Sequence, residues 1–203
     1  MSTPTIVEIG RVDERGTLRQ RWSHYFVLLY ALMCVVIAVN LRDSTLNATT
    51  NYNDVTSGIR AAYPQNWIID NAGPYVFRVR DLAQAGFKTS IVVDTQPVSL
   101  STTTRNLVDS LSLDRGNTLT GYRILEIDDS YTLPDETPAT AVTYTYVNVG
   151  VSPVLQTLPA IVEGFDVIAI RQGQAVILSF LADATVFEDQ LPIMGRFLES
   201  LEF

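Results

Sequence analysis

The feature that most constrains this chain is a stretch of seventeen residues, 25–41, which has no charged side chain and reads YFVLLYALMCVVIAVNL. As an α-helix this stretch is roughly 26 Å long, close to the roughly 30 Å hydrocarbon core of a bilayer. Trp22, His24 and Asn40 lie at or near its ends and suit the interfacial regions. The sequence therefore predicts a single transmembrane helix at residues 24–41.

Arginines are distributed unequally around this segment. Four precede it, whereas only Arg42 and Arg60 follow it within about twenty residues. By the positive-inside rule, we expect the tail 1–23 in the cytoplasm and the remainder outside it, with the helix in a bacterial inner membrane. A cleaved signal peptide is the alternative, but the nearest cleavage pattern, residues 38–40, has Asn where a small residue is expected. We therefore expect an uncleaved anchor.

The chain beyond the apolar segment is acidic. From Asp43 onward it has nine basic and nineteen acidic residues, a net charge of minus ten. Such a domain lacks the basic surface that nucleic acids require, so we expect no nucleic-acid partner. Residues 42–57 are rich in Ser, Thr, Asn and Asp and predict a polar tether, and 58–203 is long enough for one domain with its own core. Cys34 is the only cysteine, so no intrachain disulfide can form.

Short runs rich in Val, Ile, Thr and Tyr alternate with turn residues after the tether, a pattern typical of strands. Strands are predicted at 58–63, 75–80, 88–94, 121–128, 139–149, 159–171 and 174–182. Apolar residues at helical spacing predict helices at 102–113 and 187–201. Because strands predominate and the helices are few, the expected fold is α+β: an antiparallel sheet flanked by helices, preceded by the transmembrane helix.

Two ends of this domain resemble a known family. Residues 58–67, GIRAAYPQNW, are similar to the opening of PsbP-like domains, in which a strand leads into Tyr-Pro-x-x-Trp. The terminal segment RFLESLEF is similar to the last helix and Ser-Leu-x-Phe ending of the same family, whose fold is shared by an extrinsic photosystem II subunit and the Mog Ran-binding proteins. The resemblance covers about residues 57–203 and implies a non-catalytic role. Trp67 would be a large core residue, and Pro64 would fix the turn before it.

Catalytic and metal-binding side chains are scarce. His24 is the only histidine and Cys34 the only cysteine, and both lie in the predicted transmembrane helix 24–41. The outer domain therefore cannot form a Ser-His-Asp or Cys-His site, and zinc, haem and iron–sulfur ligation are not expected. The acidic residues do not have the spacing of an EF-hand loop. We expect no catalytic residue, no cofactor and no metal site.

Contact with a partner protein is the better-supported role. Arg78 and Arg80 share one face of a predicted strand, where they could pair with a partner's carboxylates or, alternatively, with internal acids or solvent. The segment 149–160 is apolar for a loop, and Val151, Val154 and Leu155 within it are candidate contacts. Such a segment either plugs the core or docks a partner.

These features lead to two hypotheses. The first is an accessory subunit of a bacterial electron-transport membrane complex, similar to the single-span, cofactor-free subunits of photosynthetic complexes or of the quinol-oxidising alternative complex III. Its partners would be the other subunits and the lipid bilayer. The alternative is a free, membrane-tethered periplasmic binding module or assembly factor. That alternative predicts an open pocket in the sheet.

Overall fold

The computed structural model describes residues 18–55, 57–149 and 158–203 of the 203-residue chain, and it divides into two compact units, Met1–Ala48 and Thr49–Phe203. The described part of the first unit is helix α1 (Leu18–Leu46). Within it, Trp22–Thr45 has a mean hydropathy of 2.1, and none of the residues of this apolar segment is buried. The apolar helix predicted from the sequence is therefore present, and it is long enough to be a membrane anchor or a signal sequence.

Helix α1 extends beyond the predicted 24–41 because nothing stops it at residue 42. The following residues include neither Gly nor Pro, and the hydroxyls of Ser44 and Thr45 donate to the carbonyl oxygen of Leu41 at 2.9 and 2.8 Å. Through these bonds the two polar side chains find a hydrogen-bond acceptor within the helix. Part of the expected tether is consequently the last turn of α1.

The described residues of the second unit form nine strands and two helices. The strands are β1 (Thr49–Asp54), β2 (Ile59–Pro64), β3 (Ile68–Asp70), β4 (Phe77–Arg80), β5 (Ser90–Pro97), β6 (Thr120–Asp128), β7 (Ala139–Asn148), β8 (Ala160–Arg171) and β9 (Gln174–Asp183). The helices are α2 (Thr104–Thr118) and α3 (Phe187–Glu199). Strands β1 and β2 form a two-stranded sheet, and the others form an antiparallel sheet in the order β3-β4-β5-β9-β8-β7-β6. The predicted α+β fold is confirmed.

Two strands were not expected. Strand β1 lies in the segment predicted to be a tether, and it is a strand because it pairs antiparallel with β2 along all six residues. Strand β3 has only three residues and pairs with β4. Neither sequence has the apolar alternation that marks a strand, since β1 reads TTNYND and β3 reads IID.

The turn between β8 and β9 is built as the sequence predicts. Arg171 pairs with Gln174, which leaves Gln172 and Gly173 as a two-residue loop with φ angles of 53° and 77°. Two successive positive φ angles suit the right-handed twist of a hairpin, and glycine adopts them without steric cost. This turn sets the register of β8 and β9.

Alternation along each strand gives the seven-stranded sheet two different faces. The α3 face, which also packs against β2, buries apolar side chains such as Phe77, Leu178 and Phe180 in one cluster with Trp67. The α2 face buries a second cluster that includes Val142, Tyr144, Tyr146 and Ile177. Helix α2 begins at the N-cap Thr103, whose side chain accepts the N–H of Asn106, and it packs chiefly against β6, β7 and β8. Helix α2 therefore leaves the part of this face toward β4 and β5 uncovered.

Candidate functional site

Arg78 and Arg80 lie together on the α2 face of β4. Their neighbours Phe77 and Val79 are fully buried on the α3 face, so the alternation of the strand places both arginines on the opposite side. Strand β4 pairs with the short edge strand β3, and the register sets Asp70 directly opposite Arg78. The sequence prediction that the two arginines share one face agrees with this placement.

Asp70 is the internal partner of both arginines. Its Oδ2 atom accepts Nη2 of Arg78 at 2.6 Å and Nη2 of Arg80 at 3.4 Å, and it also accepts the hydroxyl of Tyr75 at 3.0 Å. The backbone N–H of Ala72 donates to Oδ1 at 2.9 Å. The Ala72 N–H, followed by the bonds from Arg78 and Tyr75, lowers the pKa of Asp70 to about 2. Asp70 is therefore ionised at neutral pH.

A concave pocket of about 350 Å³ opens beside these arginines on the α2 face, and we call it the arginine pocket. Its basic residues are Arg78, Arg80 and Lys88. The Lys88 ammonium donates to the backbone carbonyl oxygens of Leu82, at 3.4 Å, and Gln84, which holds it beside the loop before β5. Three positive charges therefore surround a pocket in a domain that is acidic as a whole.

The remaining wall of the arginine pocket combines apolar and polar residues. Phe87, Val92 and Leu181 line it together with the ring of Tyr146, while polar groups come from residues such as Asn148. A pocket that combines apolar walls with a few convergent charged groups is typical of a site that binds a small molecule or a protruding side chain.

A buried ion pair lies on the same face under α2. Nη1 of Arg115 donates to Oδ2 of Asp166 at 2.5 Å, and the hydroxyl of Tyr144 donates to Oδ1 of the same carboxylate at 3.1 Å. The guanidinium of Arg115 lies 4.6 Å from the centre of the Tyr144 ring. Burial lowers the pKa of Arg115, but Asp166 together with Tyr144 and Tyr122 raises it above its ordinary value, so the guanidinium stays charged. This network fixes the ring of Tyr144.

Tyr146 joins the buried network to the pocket. Its ring stacks on Tyr144 with a centroid separation of 6.4 Å, and it also lines the arginine pocket. Burial raises the pKa of Tyr146 to about 12, so the hydroxyl stays neutral at neutral pH. Gly164 gives Tyr144 its space, because a Cβ there would lie 2.4 Å from the ring. Tyr146 in the pocket wall therefore packs on Tyr144, which the buried ion pair holds in place.

The structure brings together only part of the predicted contact set. Arg78 and Arg80 lie in one pocket, whereas Val151, Val154 and Leu155 lie outside the described residues. Sequence reasoning missed Lys88, which lies in the loop before β5, and Tyr146, which lies on β7. Asp70 on β3 and Val92 on β5 both lie opposite Arg78. They would have been found only if β3 and the β4–β5 register had been predicted.

Within the described ranges, no three His, Cys, Asp or Glu side chains cluster in a way that could hold a metal ion. The buried carboxylate of Asp166 accepts hydrogen bonds from Arg115 and Tyr144. The arginine pocket offers cations rather than metal ligands, so its chemistry favours an anion.

Comparison with known proteins supports the fold. No protein-family model matches the chain, and no curated protein matches it significantly in sequence. The solution structure of the cyanobacterial PsbP protein (CyanoP) from Synechocystis is similar, with 13% identity and a TM-score of 0.51 over 76% of this chain and 92% of that chain. A Pseudomonas aeruginosa protein of unknown function, PA94, has 12% identity and a TM-score of 0.50 over 77% and 98%.

The yeast Ran-binding protein Mog1p has 12% identity and a TM-score of 0.49, over 76% of this chain and 95% of that chain. At identities this low the likeness shows the fold alone. The likeness to CyanoP confirms the PsbP-like fold that the Tyr-Pro-x-x-Trp segment and the terminal helix predicted. In agreement, Trp67 is buried, and its N–H donates to the carbonyl oxygen of Pro64 at 3.0 Å.

Proposed function

We propose that this protein is a non-catalytic, membrane-anchored accessory subunit of a bacterial electron-transport membrane complex, either quinol-oxidising or photosynthetic. The observation that carries the proposal is α1, whose segment Trp22–Thr45 is apolar and contains no buried residue. A helix that is apolar around its whole circumference is stable in water only when something covers it. Lipid and the helices of other subunits would cover this one.

The orientation follows from charge. The arginines before the helix would hold the N-terminus in the cytoplasm of a bacterial cell, and the PsbP-like domain would lie outside the inner membrane. That domain has neither histidine nor cysteine, which limits the catalytic chemistry open to it. In this proposal Arg78 and Arg80, with Val151, Val154 and Leu155, contact a neighbouring subunit.

Purification in a mild detergent tests the proposal. The tagged full chain should co-purify with integral membrane subunits in a fixed ratio, as measured by native gels and quantitative mass spectrometry. A matched control is Val36→Arg, which places a charge in the middle of the apolar segment and should abolish membrane insertion and the association together. A chain that migrates alone, or whose mature N-terminus follows residue 40, contradicts the proposal.

The arginine pocket favours a second candidate, a free membrane-tethered binding module or assembly factor. An open pocket in the sheet is the feature that this alternative predicts, and the pocket of about 350 Å³ lies on the α2 face. The two candidates differ in stoichiometry. A binding module should associate with other proteins transiently and in less than one copy per complex, whereas a subunit should be present in a constant ratio.

A further inference from the structure

The cations of the arginine pocket are only partly neutralised. Both arginines use the same oxygen of Asp70, and the Nε atoms of Arg78 and Arg80 are buried without a hydrogen-bond acceptor among the described residues. Lys88 bonds only to neutral carbonyl groups. Buried hydrogen-bond donors rarely lack an acceptor in folded proteins, so two such donors in one pocket wall are unusual. One carboxylate, Asp70, is thus shared by both arginines.

Four other arginines of the domain differ from this arrangement. Arg60 lies near Glu202, Arg105 near Asp109 and Asp129, Arg115 on Asp166, and Arg171 near Asp135. Each of these has at least one carboxylate to itself. The arginine pocket, by contrast, holds three of the nine basic residues that follow residue 42, in a region whose net charge is minus ten. A local excess of positive charge inside a negatively charged domain attracts and orients anions.

The apolar wall indicates what kind of anion fits. Phe87, Val92 and Leu181 lie in the same concavity as the arginines, so a bound group would contact both kinds of surface. The volume of about 350 Å³ is near the lower end of the range for small-molecule sites, which is roughly 300–1,000 Å³. Asp70 shows that a carboxylate fits the Nη2 group of Arg78. Arginine favours carboxylates because its planar fork pairs with two oxygens.

We propose that the arginine pocket binds a small amphiphilic carboxylate, with the carboxylate between Arg78 and Arg80 and the apolar part against Phe87, Val92 and Leu181. This inference rests on the binding-module candidate and names its ligand class. In the unliganded protein, Asp70 acts as an internal competitor for the same guanidinium groups. The ligand gives the two guanidinium groups a second carboxylate.

Calorimetric titration of the full chain in nanodiscs tests the proposal, with empty nanodiscs as the blank. The probe is 4-phenylbutyrate. Two control compounds separate its features: 4-phenylbutylamine replaces the negative charge with a positive one, and acetate removes the apolar group. We expect saturable binding of 4-phenylbutyrate and none of either control, because the charge and the apolar group contact different walls.

Variants assign the binding to this pocket. Arg78→Gln and Arg80→Gln should each weaken 4-phenylbutyrate binding about tenfold, since each removes a charge-assisted hydrogen bond. Asp70→Asn should strengthen binding about threefold, because it removes the competing carboxylate. The matched control is Arg105→Gln, whose guanidinium pairs with Asp109 and Asp129 on the exposed side of α2 and should leave binding unchanged. Circular dichroism checks that each variant is folded.

Several results would overturn the proposal. These are equal binding of 4-phenylbutylamine, tighter binding of phenyl phosphate than of 4-phenylbutyrate, or folded Arg78→Gln and Arg80→Gln variants that bind like the wild type. A folded Asp70→Asn variant with weaker binding would contradict the role of internal competitor. Failure here is distinguishable from failure of the subunit proposal, because co-purification with membrane subunits is measured separately and does not depend on the probe.

Discussion

The two faces of the seven-stranded sheet are built from the same strands but from different chemistry. On the α3 face, Phe77, Leu178 and Phe180 are fully buried and belong to one apolar cluster. On the α2 face the same strands bury Asp166 and Ser179. The α3 face is therefore stabilised by buried apolar area. The α2 face also buries polar groups, which must form hydrogen bonds or ion pairs with one another.

The difference matches how each face is covered. Helix α3 and β2 close the α3 face, which leaves its apolar side chains without access to solvent. Helix α2 covers chiefly β6, β7 and β8, and the arginine pocket lies on the uncovered part toward β4 and β5. The comparison suggests a division of roles: the α3 face holds the fold together, and the α2 face positions charged groups for a ligand or partner.

The strongest test of this division is Phe180→Ala. Phe180 has no exposed surface and lies 5.7 Å, between ring centroids, from Phe187 of α3. Its truncation should lower the free energy of unfolding by about 3–5 kcal/mol, because the change loses apolar burial and leaves a cavity. Urea denaturation of the full chain in detergent, followed by near-ultraviolet circular dichroism, measures the loss. Leu100→Ala, at a fully exposed position, is the control and should change stability by less than about 0.5 kcal/mol.

A second test addresses the ion pair of the α2 face. Asp166→Asn keeps the shape of the side chain and an acceptor for Tyr144, but it leaves the guanidinium of Arg115 without its counter-charge. We expect a loss of about 3 kcal/mol, at the low end of the range for breaking a buried pair, because the Arg115 side chain is still 18% exposed. The same denaturation measurement applies.

Adding Arg115→Met to this variant sharpens the result. The second substitution removes the uncompensated charge, so the double variant should be more stable than Asp166→Asn alone. A double variant that is less stable by the sum of both single effects would mean that the two residues act independently. In that case the α2 face would owe its stability to packing, as the α3 face does.

Alkaline pH should affect the α2 face through Tyr146. Burial raises its pKa from 10.0 to about 12 in the folded protein, so the neutral form is favoured by folding. This stabilising contribution is complete below pH 10 and is lost as the pH rises toward 12. The loss at pH 11 is about 1.4 kcal/mol. Tyr146→Phe cannot ionise and should lose correspondingly less stability between pH 9 and pH 11. Equal losses in both proteins would show that other groups cause the alkaline effect.

The faces also explain how much the sequence could predict. Residues 142–147 alternate in burial as their sequence alternates between residue types, so β7 and its two faces were predictable. Strand β1 was not, because its polar residues form a strand only through pairing with β2. The arginine pocket was half predictable: local alternation placed Arg78 and Arg80 together, but Lys88 and Tyr146 join them through strand order and twist, which local patterns do not contain.

The smallest expected effect compares the two helices that cover the faces. A Cβ at Gly195 in α3 or at Gly116 in α2 would have no atom within 4 Å, so alanine fits at both positions. Gly195→Ala should stabilise the protein by about 0.5–1 kcal/mol through helix propensity and reduced entropy of the unfolded chain. Gly116→Ala should gain less, because Gly116 lies in the last turn of α2, where helices fray. Equal gains in urea denaturation would show that α2 is as firmly held at its end as α3 is in its middle, which would remove one of the differences between the two faces.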